Sequence, residues 1–338
     1  MSGRALTIRL GNGVEVLGDK EYHFDAEVIE ACGIFCISHA HSDHLPRRIV
    51  GTEVVASDVT LRCLNARSKK QLSLAEPNGV TMLDAGHMAG SRMFQVEVNG
   101  RQVLYTGDLC TRDRCGNQGA RPVKTDVLII ESTYGKPRYV FPPSDVIASL
   151  VHDEVEDSFS QGRSVSLYAY PFGKSQDMIR VLQDLKPYAD LSVYNATSLV
   201  RSENDPLECS LWDGEDIDEP FVVICSPWLK RTKQAELMQN KNVKRLAVSG
   251  WAIDPGYKRK MGVHEAFPFS DHADFNDLIE FVKGCEPELV ITHHARPTRW
   301  RTRSSPAWAS TLAPLFADSA RWPSSESVSA SSLRLAPS

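Results

Sequence analysis

The sequence predicts an α/β protein built from layered sheets, on three observations. The first 135 residues read as short strands parted by turns. From residue 144 to residue 292 strand-like and helical patterns alternate. Within the opening stretch, one Asn-Gly dipeptide between two alternating runs pins a hairpin.

Taken in order, Ile34 to Ile37 is a short apolar run that reads as a buried strand, and Val54-Val55 and Thr81 to Leu83 are further strand candidates. Met93 to Val98 and Arg101 to Thr106 flank Asn99-Gly100, whose residues supply the positive φ angles of a type I′ turn. Val127 to Ile130 is a continuous apolar strand. Ser144 to Phe159 follows the helical period, with Asp145, Glu154 and Glu156 on its polar side. Val165 to Ala169 leads into a helix from Ser175 to Leu185, and Phe221 to Ile224 precedes a helix at Lys230 to Gln239. Leu246 to Val248, a helix at Phe275 to Val282 and a strand at Leu289 to Thr292 complete the series.

At 338 residues, with 42% hydrophobic and 24% charged content, the composition is that of an ordinary globular protein with a substantial core. No apolar run approaches the ~20 residues that cross a bilayer, and Met1 to Gly13 lacks the apolar core of a signal peptide. The expectation is a cytoplasmic protein with no membrane contact. The eight cysteines show no CxxC pair and read as reduced, partly buried thiols.

The net charge of −5 is uneven: residues 296–338 carry six Arg against Asp318 and Glu326. That same segment holds 11 Ser, 5 Pro and three of the six Trp, with neither Gly nor Lys, and shows no sustained period. It reads as a tail without a packed fold. The break falls immediately after His293-His294, and two readings fit it: a segment translated out of frame, or a disordered tail. Net acidity argues against general affinity for nucleic acid. Basic clusters nevertheless stand at Arg67, Lys69 and Lys70, at Lys230, Arg231 and Lys233, and at Lys258, Arg259 and Lys260.

The chemistry concentrates in His39-Ala40-His41-Ser42-Asp43-His44, which puts three imidazoles and a carboxylate directly behind the Ile34 to Ile37 strand. Such donors suit zinc and similar first-row ions. A strand that ends in the cluster holds its ligands on a rigid element. Further candidate ligands also follow strands: His87 in Asp84-Ala85-Gly86-His87, and Asp108 in Gly107-Asp108. Glycine beside each permits a tight turn and a close approach of backbone.

On these residues the chain resembles the metallo-β-lactamase fold: His39, His41, Asp43 and His44 match its signature, His87 its second histidine motif, and Asp108 its bridging aspartate. Three later motifs are similar to those of the β-CASP nucleases: Glu131-Ser132-Thr133-Tyr134-Gly135, Phe269 to Phe275 around Asp271-His272, and His293-His294. Tyr168 to Gln176 is similar to a segment of that family's inserted cap. Seven motifs in the family's order span about residues 30 to 295.

The resemblance implies a four-layer αβ/βα metallo-β-lactamase sandwich with an inserted β-CASP α/β cap. The body would comprise residues 1–142 and 263–295, the cap 143–262, with the active site in the cleft between them and 296–338 left as the tail. It implies two zinc ions: one held by His39, His41, His87 and Asp108, the other by Asp43, His44, Asp108 and His294, for which His293 is the competing candidate. Asp43 and Asp108 would be catalytic, and His272, paired with Glu131, would give a proton to the leaving oxygen. Lys174 and Ser175 at a helix start would meet a phosphate, and Tyr168, Tyr170 and Phe172 would either stack bases or lie in the core. The implied activity is hydrolysis of phosphodiester bonds in single-stranded RNA by water activated between two metals. A DNA nuclease with the same site and a catalytically impaired scaffold subunit are the alternatives. The implied assembly is a homodimer or a place in an RNA-processing complex.

Overall fold

The computed structural model describes residues 5–11, 13–76, 79–214, 217, 220–227 and 242–293, with the backbone alone at 299–301 and 331–335. The chain forms a mixed α/β structure with several sheets, divided into two compact units: residues 1–112, 118–140 and 272–338, and residues 113–117 and 141–271.

The first unit carries two larger sheets. In one, the strands Ser331–Leu335, Leu6–Gly11, Gly13–Leu17, Glu21–Phe24 and Ile34–Cys36 lie side by side in that order. In the other, the order is Arg299–Arg301, Leu289–His293, Val127–Glu131, Arg101–Tyr105, Arg92–Val98 and Val80–Asp84. Alternation fixes which side faces inward: Leu6, Ile8 and Leu10 are buried while Arg9 and Gly11 are exposed. These residues join Val16, Tyr22 and Phe24 from the first sheet, and Phe94, Val103, Val127 and Ile291 from the second, in one shared core. Each such side chain contributes about 1.5–3 kcal/mol by leaving water.

The opposite side of the second sheet, through Met93, Leu104, Leu128, Ile130 and Val290, packs on Leu278, Phe281, Val282 and Cys285 of the helix Phe275–Cys285. Val127–Glu131 is therefore buried along its whole length between parallel neighbours, as its unbroken apolar run requires. The hairpin forms as expected, with Asn99 and Gly100 at φ of 53° and 72° and Val98 opposite Arg101.

The second unit is built on a six-stranded sheet in the order Ser210–Leu211, Tyr188–Ala189, Val222–Cys225, Ser164–Tyr168, Val243–Val248 and Glu265–Phe267, every neighbouring pair parallel. The helix Ser144–Ser160 buries Ile147, Val151 and Val155, four residues apart, which is the stripe its period predicts. The helix expected over Ser175 to Leu185 forms as Lys174–Val181 followed by a 3₁₀ turn at Gln183–Leu185.

Some elements carried no expectation: the helices Asp58–Arg67, Leu191–Val200 and Tyr257–Met261. The segment after residue 295, read as lacking a packed fold, contributes two short strands: Arg299–Arg301 pairs with Leu289–His293, and Ser331–Leu335 with Leu6–Gly11. The expected helix Lys230 to Gln239 and the basic cluster within it lie outside the described residues. All eight cysteines are free thiols, and among the described residues no helix is long and apolar enough to cross a membrane.

Candidate metal centre

The candidate ligands all stand just past the ends of strands in the first unit. His39 to His44 follow Ile34–Cys36, His87 follows Val80–Asp84, Asp108 follows Arg101–Tyr105, and Glu131 closes Val127–Glu131. The two glycines serve the close approach expected of them. Gly86 has φ 67°, and a Cβ there would lie 2.3 Å from the Cys110 carbonyl oxygen; Gly107 has φ 55°, and a Cβ there would lie 2.6 Å from the Ser38 Cβ. Any larger residue would push His87 or Asp108 out of place.

His39, His41, His87 and Asp108 converge: each offers a ligand atom, and these atoms lie within 4.8 Å of one another. The Nε2 atoms of His39 and His87 stand 3.5 and 3.7 Å from Asp108 Oδ2, and His44 Nε2 stands 3.4 Å from Asp108 Oδ1. One carboxylate thus faces three imidazoles. His87 Nε2 and His41 Nδ1 are 3.0 Å apart, a hydrogen-bond distance when one of the two carries the proton. Asp43, by contrast, is exposed on the turn and belongs to none of the convergent groups.

Two observations test whether a metal fits. His39 Nε2 is buried without a hydrogen-bond partner, a costly arrangement unless something else occupies its lone pair. The donor set, imidazole nitrogens with one carboxylate, is that of zinc sites. Electrostatics agree. Burial drives His39 well below its ordinary pKa, and the neighbouring histidines add to this while Asp108 opposes it. The ring is accordingly neutral, the state that binds metal. For Asp108, burial would raise the pKa, but His44 above all holds it well below the usual carboxylate range. The residues fit a zinc centre.

His44 leads to a residue that the sequence did not single out. Asp25, just past Glu21–Phe24, accepts at Oδ2 from Ser38 Oγ at 2.6 Å and from the Tyr105 hydroxyl at 2.8 Å; the same oxygen is 2.6 Å from His44 Nδ1. Its Oδ1 accepts from the Ser38 backbone N–H at 2.7 Å. Burial would depress the pKa of His44, but Asp108 and Asp25 outweigh it and hold it well above the ordinary value. Ser38 Oγ also contacts His39 Nδ1 at 2.9 Å, so one buried carboxylate orients two rings of the cluster. Asp25 sits at φ 47°, an angle Asp tolerates better than most residues. A lone Asp after Glu21-Tyr22-His23-Phe24 offered only its strand-end position as a signal.

Beside the cluster, His272 Nδ1 lies 3.0 Å from both oxygens of Glu131. The Leu109 N–H donates to Glu131 at 2.7 Å, locking the carboxylate. His272, Glu131 and Asp108 form a second convergent group. The segment holding His272 is tied down by the Ala273 N–H, which donates to the Leu109 carbonyl at 2.7 Å, and by Arg112, which pairs with Asp274 and Asp277 of the capping box.

The remaining candidates fall differently. His293 is buried at the end of its strand, with its ring stacked 5.1 Å from Tyr105 and its carbonyl accepting from Ser132 Oγ. His294 lies outside the described residues. Lys174, expected to reach a phosphate, is 6% exposed and ion-paired with Asp271. Ser175 is buried, and its hydroxyl donates to the Tyr170 carbonyl at 2.6 Å. Both groups are thus taken up inside the second unit, because an unpaired ammonium or hydroxyl at that depth would be costly. Tyr168 and Phe172 are core, whereas Tyr170 is exposed.

Residues 256–300 match the Zn-dependent metallo-hydrolase RNA specificity domain. The chain is 31% identical over 299 residues to a protein of Opitutus terrae called "Probable DNA ligase", covering 81% of this chain and 28% of that one. It is 25% identical to an "RNase J-like protein" of Methanocaldococcus jannaschii, covering 76% and 72% of the two chains. It is 33% identical to "Endoribonuclease YSH1" of Saccharomyces cerevisiae, covering 69% and 38%. The chain therefore spans under two thirds of the ligase-named and yeast relatives. Among solved structures, a protein of unknown function from Enterococcus faecalis V583 shares the fold, with TM-score 0.58 at 12% identity over 85% of this chain and 93% of that one. Its histidine and aspartate motifs gather around one buried carboxylate, its residues 256–300 match the Zn-dependent metallo-hydrolase model, and the chain is similar to proteins named as RNase J-like and as an endoribonuclease.

Proposed function

We propose that this chain is a zinc-dependent nuclease that hydrolyses phosphodiester bonds of single-stranded RNA. One observation carries the reading: a convergent His39, His41, His87 and Asp108 cluster lies beside a buried carboxylate–imidazole pair, Glu131 and His272, with Asp108 common to both groups. A metal cluster alone suits many hydrolases. The adjoining pair suits a reaction whose leaving oxygen needs a proton.

In this reading His39, His41, His87 and Asp108 hold one zinc, and Asp43, His44, Asp108 and His294 or His293 hold a second. Zinc bound there supplies Lewis acidity toward phosphoryl oxygen and makes water available as a nucleophile near neutral pH. The side chains do the rest. Asp25 and Ser38 hold the rings of His44 and His39 in place. His272 donates Nδ1–H to Glu131 and turns Nε2 toward the departing oxygen, while the carboxylate favours the imidazolium. We propose further that the first unit is the four-layer αβ/βα body and that residues 143–262 are an inserted cap that guides the strand. The RNase J-like and endoribonuclease names of the relatives support RNA as substrate.

A second reading has its own support: the relative called a probable DNA ligase matches 81% of this chain, which favours a DNA strand at the same site. Matched end-labelled RNA and DNA oligonucleotides, incubated with the zinc-loaded protein and with Asp108→Ala, test both. The expected result is RNA cleavage that vanishes in the variant together with its zinc. Preferential cleavage of DNA moves the assignment to the second reading, and cleavage by Asp108→Ala equal to wild type removes the site from the reaction.

A further inference from the structure

In the second unit, the strands Ser164–Tyr168 and Val243–Val248 run side by side in parallel, with Tyr168 opposite Ala247. Just past their C-terminal ends stand Tyr170 and Trp251, 45% and 40% exposed. Chain connections part here. The segment after Tyr168 returns through Lys174–Val181 toward Tyr188–Ala189, on one side of the sheet order, and the segment after Val248 returns through Tyr257–Met261 to Glu265–Phe267, on the other. Such a divergence at strand ends is where open parallel sheets receive ligands.

Both aromatics sit on fixed backbone. The Tyr170 carbonyl accepts from the Ser175 N–H at 3.2 Å and the Ser175 hydroxyl at 2.6 Å, and the Lys174 ammonium lies 5.6 Å from the Tyr170 ring centroid. The Trp251 backbone N–H donates to Ser249 Oγ at 3.2 Å. The Tyr257 backbone N–H donates to the Asp254 carbonyl at 2.9 Å, fixing the start of Tyr257–Met261 behind Trp251. One helical turn on, Lys258, Arg259 and Lys260 are exposed; Lys258 pairs with Glu265 at 2.7 Å, leaving Arg259 and Lys260 as the outward cations.

We propose that Tyr170 and Trp251 form a base-stacking platform for single-stranded nucleic acid, with Arg259 and Lys260 meeting its phosphates. Large exposed aromatic rings on fixed backbone, in the same unit as an exposed cationic turn, suit unpaired bases on an anionic backbone, because every base has a π-face and every linkage a charge. The match of residues 256–300 to an RNA specificity domain covers the cationic turn and is independent of the aromatics. The proposal deepens the nuclease reading and rests on it for its ligand class.

Fluorescence anisotropy of the full chain with labelled single-stranded RNA and DNA oligonucleotides, in chelator so that nothing is cleaved, reads the platform directly. Tyr170→Ala and Trp251→Ala each weaken binding about 5- to 150-fold. Tyr170→Phe keeps the ring and stays within about 3-fold of wild type, and Leu150→Ala, an exposed position on Ser144–Ser160, binds as wild type does. Arg259→Ala and Lys260→Ala each lower the slope of log affinity against log salt by about 0.7. As a second readout in the unaltered protein, added oligonucleotide quenches tryptophan fluorescence, and Trp251→Phe loses that quenching.

Unchanged affinity in the Tyr170→Ala, Trp251→Ala double variant overturns the platform. So does unquenched fluorescence, failure of either single strand to bind, or a duplex that binds as tightly as its separated strands. Since no hydrolysis is read, an oligonucleotide that binds the platform yet stays intact when zinc is restored counts against the nuclease reading alone.

Discussion

Asp25 Oδ2 lies 2.6 Å from His44 Nδ1, and this contact turns the opposite nitrogen of the ring to within 3.4 Å of Asp108. A carboxylate from one strand end thereby sets the lone-pair direction of a ligand from another. Asp25→Ala leaves His44 buried with Asp108 as its remaining counter-charge and frees the ring to rotate. Zinc affinity should fall about 10- to 100-fold, the usual cost of removing an outer-shell partner. Competition against a fluorescent chelator measures it; wild-type affinity in the variant would make Asp25 a packing residue only.

The same contact sets a pH dependence in the metal-free chain. His44 is held well above its ordinary pKa, so its contribution to stability is complete below about 6.5, the unfolded value, and is lost as pH rises through the elevated folded value. His39 acts oppositely: depressed by burial, it destabilises as pH falls below about 6.5. Thermal midpoints of wild type and His44→Gln, both in chelator, should converge as pH is raised from 6 to 9. A constant gap would show that the pair carries no linked proton.

Metal loading should reverse the net trend, since ligands must shed protons to bind. Zinc content, by mass spectrometry of protein dialysed at falling pH, should drop as the solution is acidified below neutrality. Asp108→Ala should lose all zinc, whereas Asp43→Ala, altered at an exposed position, should retain at least one ion. Equal loss in both variants would bring Asp43 into the central cluster.

Gly107→Ala places a Cβ 2.6 Å from the Ser38 Cβ at a φ of 55°. Left-handed backbone costs a non-glycine residue about 1–2 kcal/mol before any clash is counted. Lowered thermal stability together with lost zinc is expected. A stable, fully loaded Gly107→Ala would mean that the Asp108 turn is looser than its contacts imply.

Glu131→Gln and His272→Asn should keep zinc but slow cleavage about 100- to 10,000-fold, the range for general acid–base groups. The pH–rate profile separates this from a packing effect: a proton donor's loss removes the alkaline limb, while a packing defect lowers the whole curve.

The sequence was most legible where one physical signal dominated. Asn99-Gly100 pinned a hairpin through positive φ, Val127 to Ile130 announced a strand buried on both faces, and the Ile147, Val151 and Val155 stripe placed a helix. The helix Asp58–Arg67 was missed because only Thr60, Cys63 and Leu64 are buried and its apolar period is faint; the Ser57 cap, accepting from the Thr60 N–H, was the available cue. Histidines behind strands could be read because metal chemistry needs scarce residue types at strand ends. Asp25 could not, since its worth lies in partners 13, 19 and 80 positions away. Lys174 looked like a phosphate ligand because sequence shows charge and not the buried Asp271 that meets it.

The place of Val127–Glu131 in its sheet has a consequence for biosynthesis. One flank is covered as soon as Arg101–Tyr105 pairs with it, but the other waits for Leu289–His293, and the adjoining Ser132 and His293 are 161 positions apart. While the ribosome makes the intervening stretch, a strand edge apolar from Val127 to Ile130 stands open to any strand nearby. Nascent chains of this protein should therefore lean on a holdase until the last strand emerges.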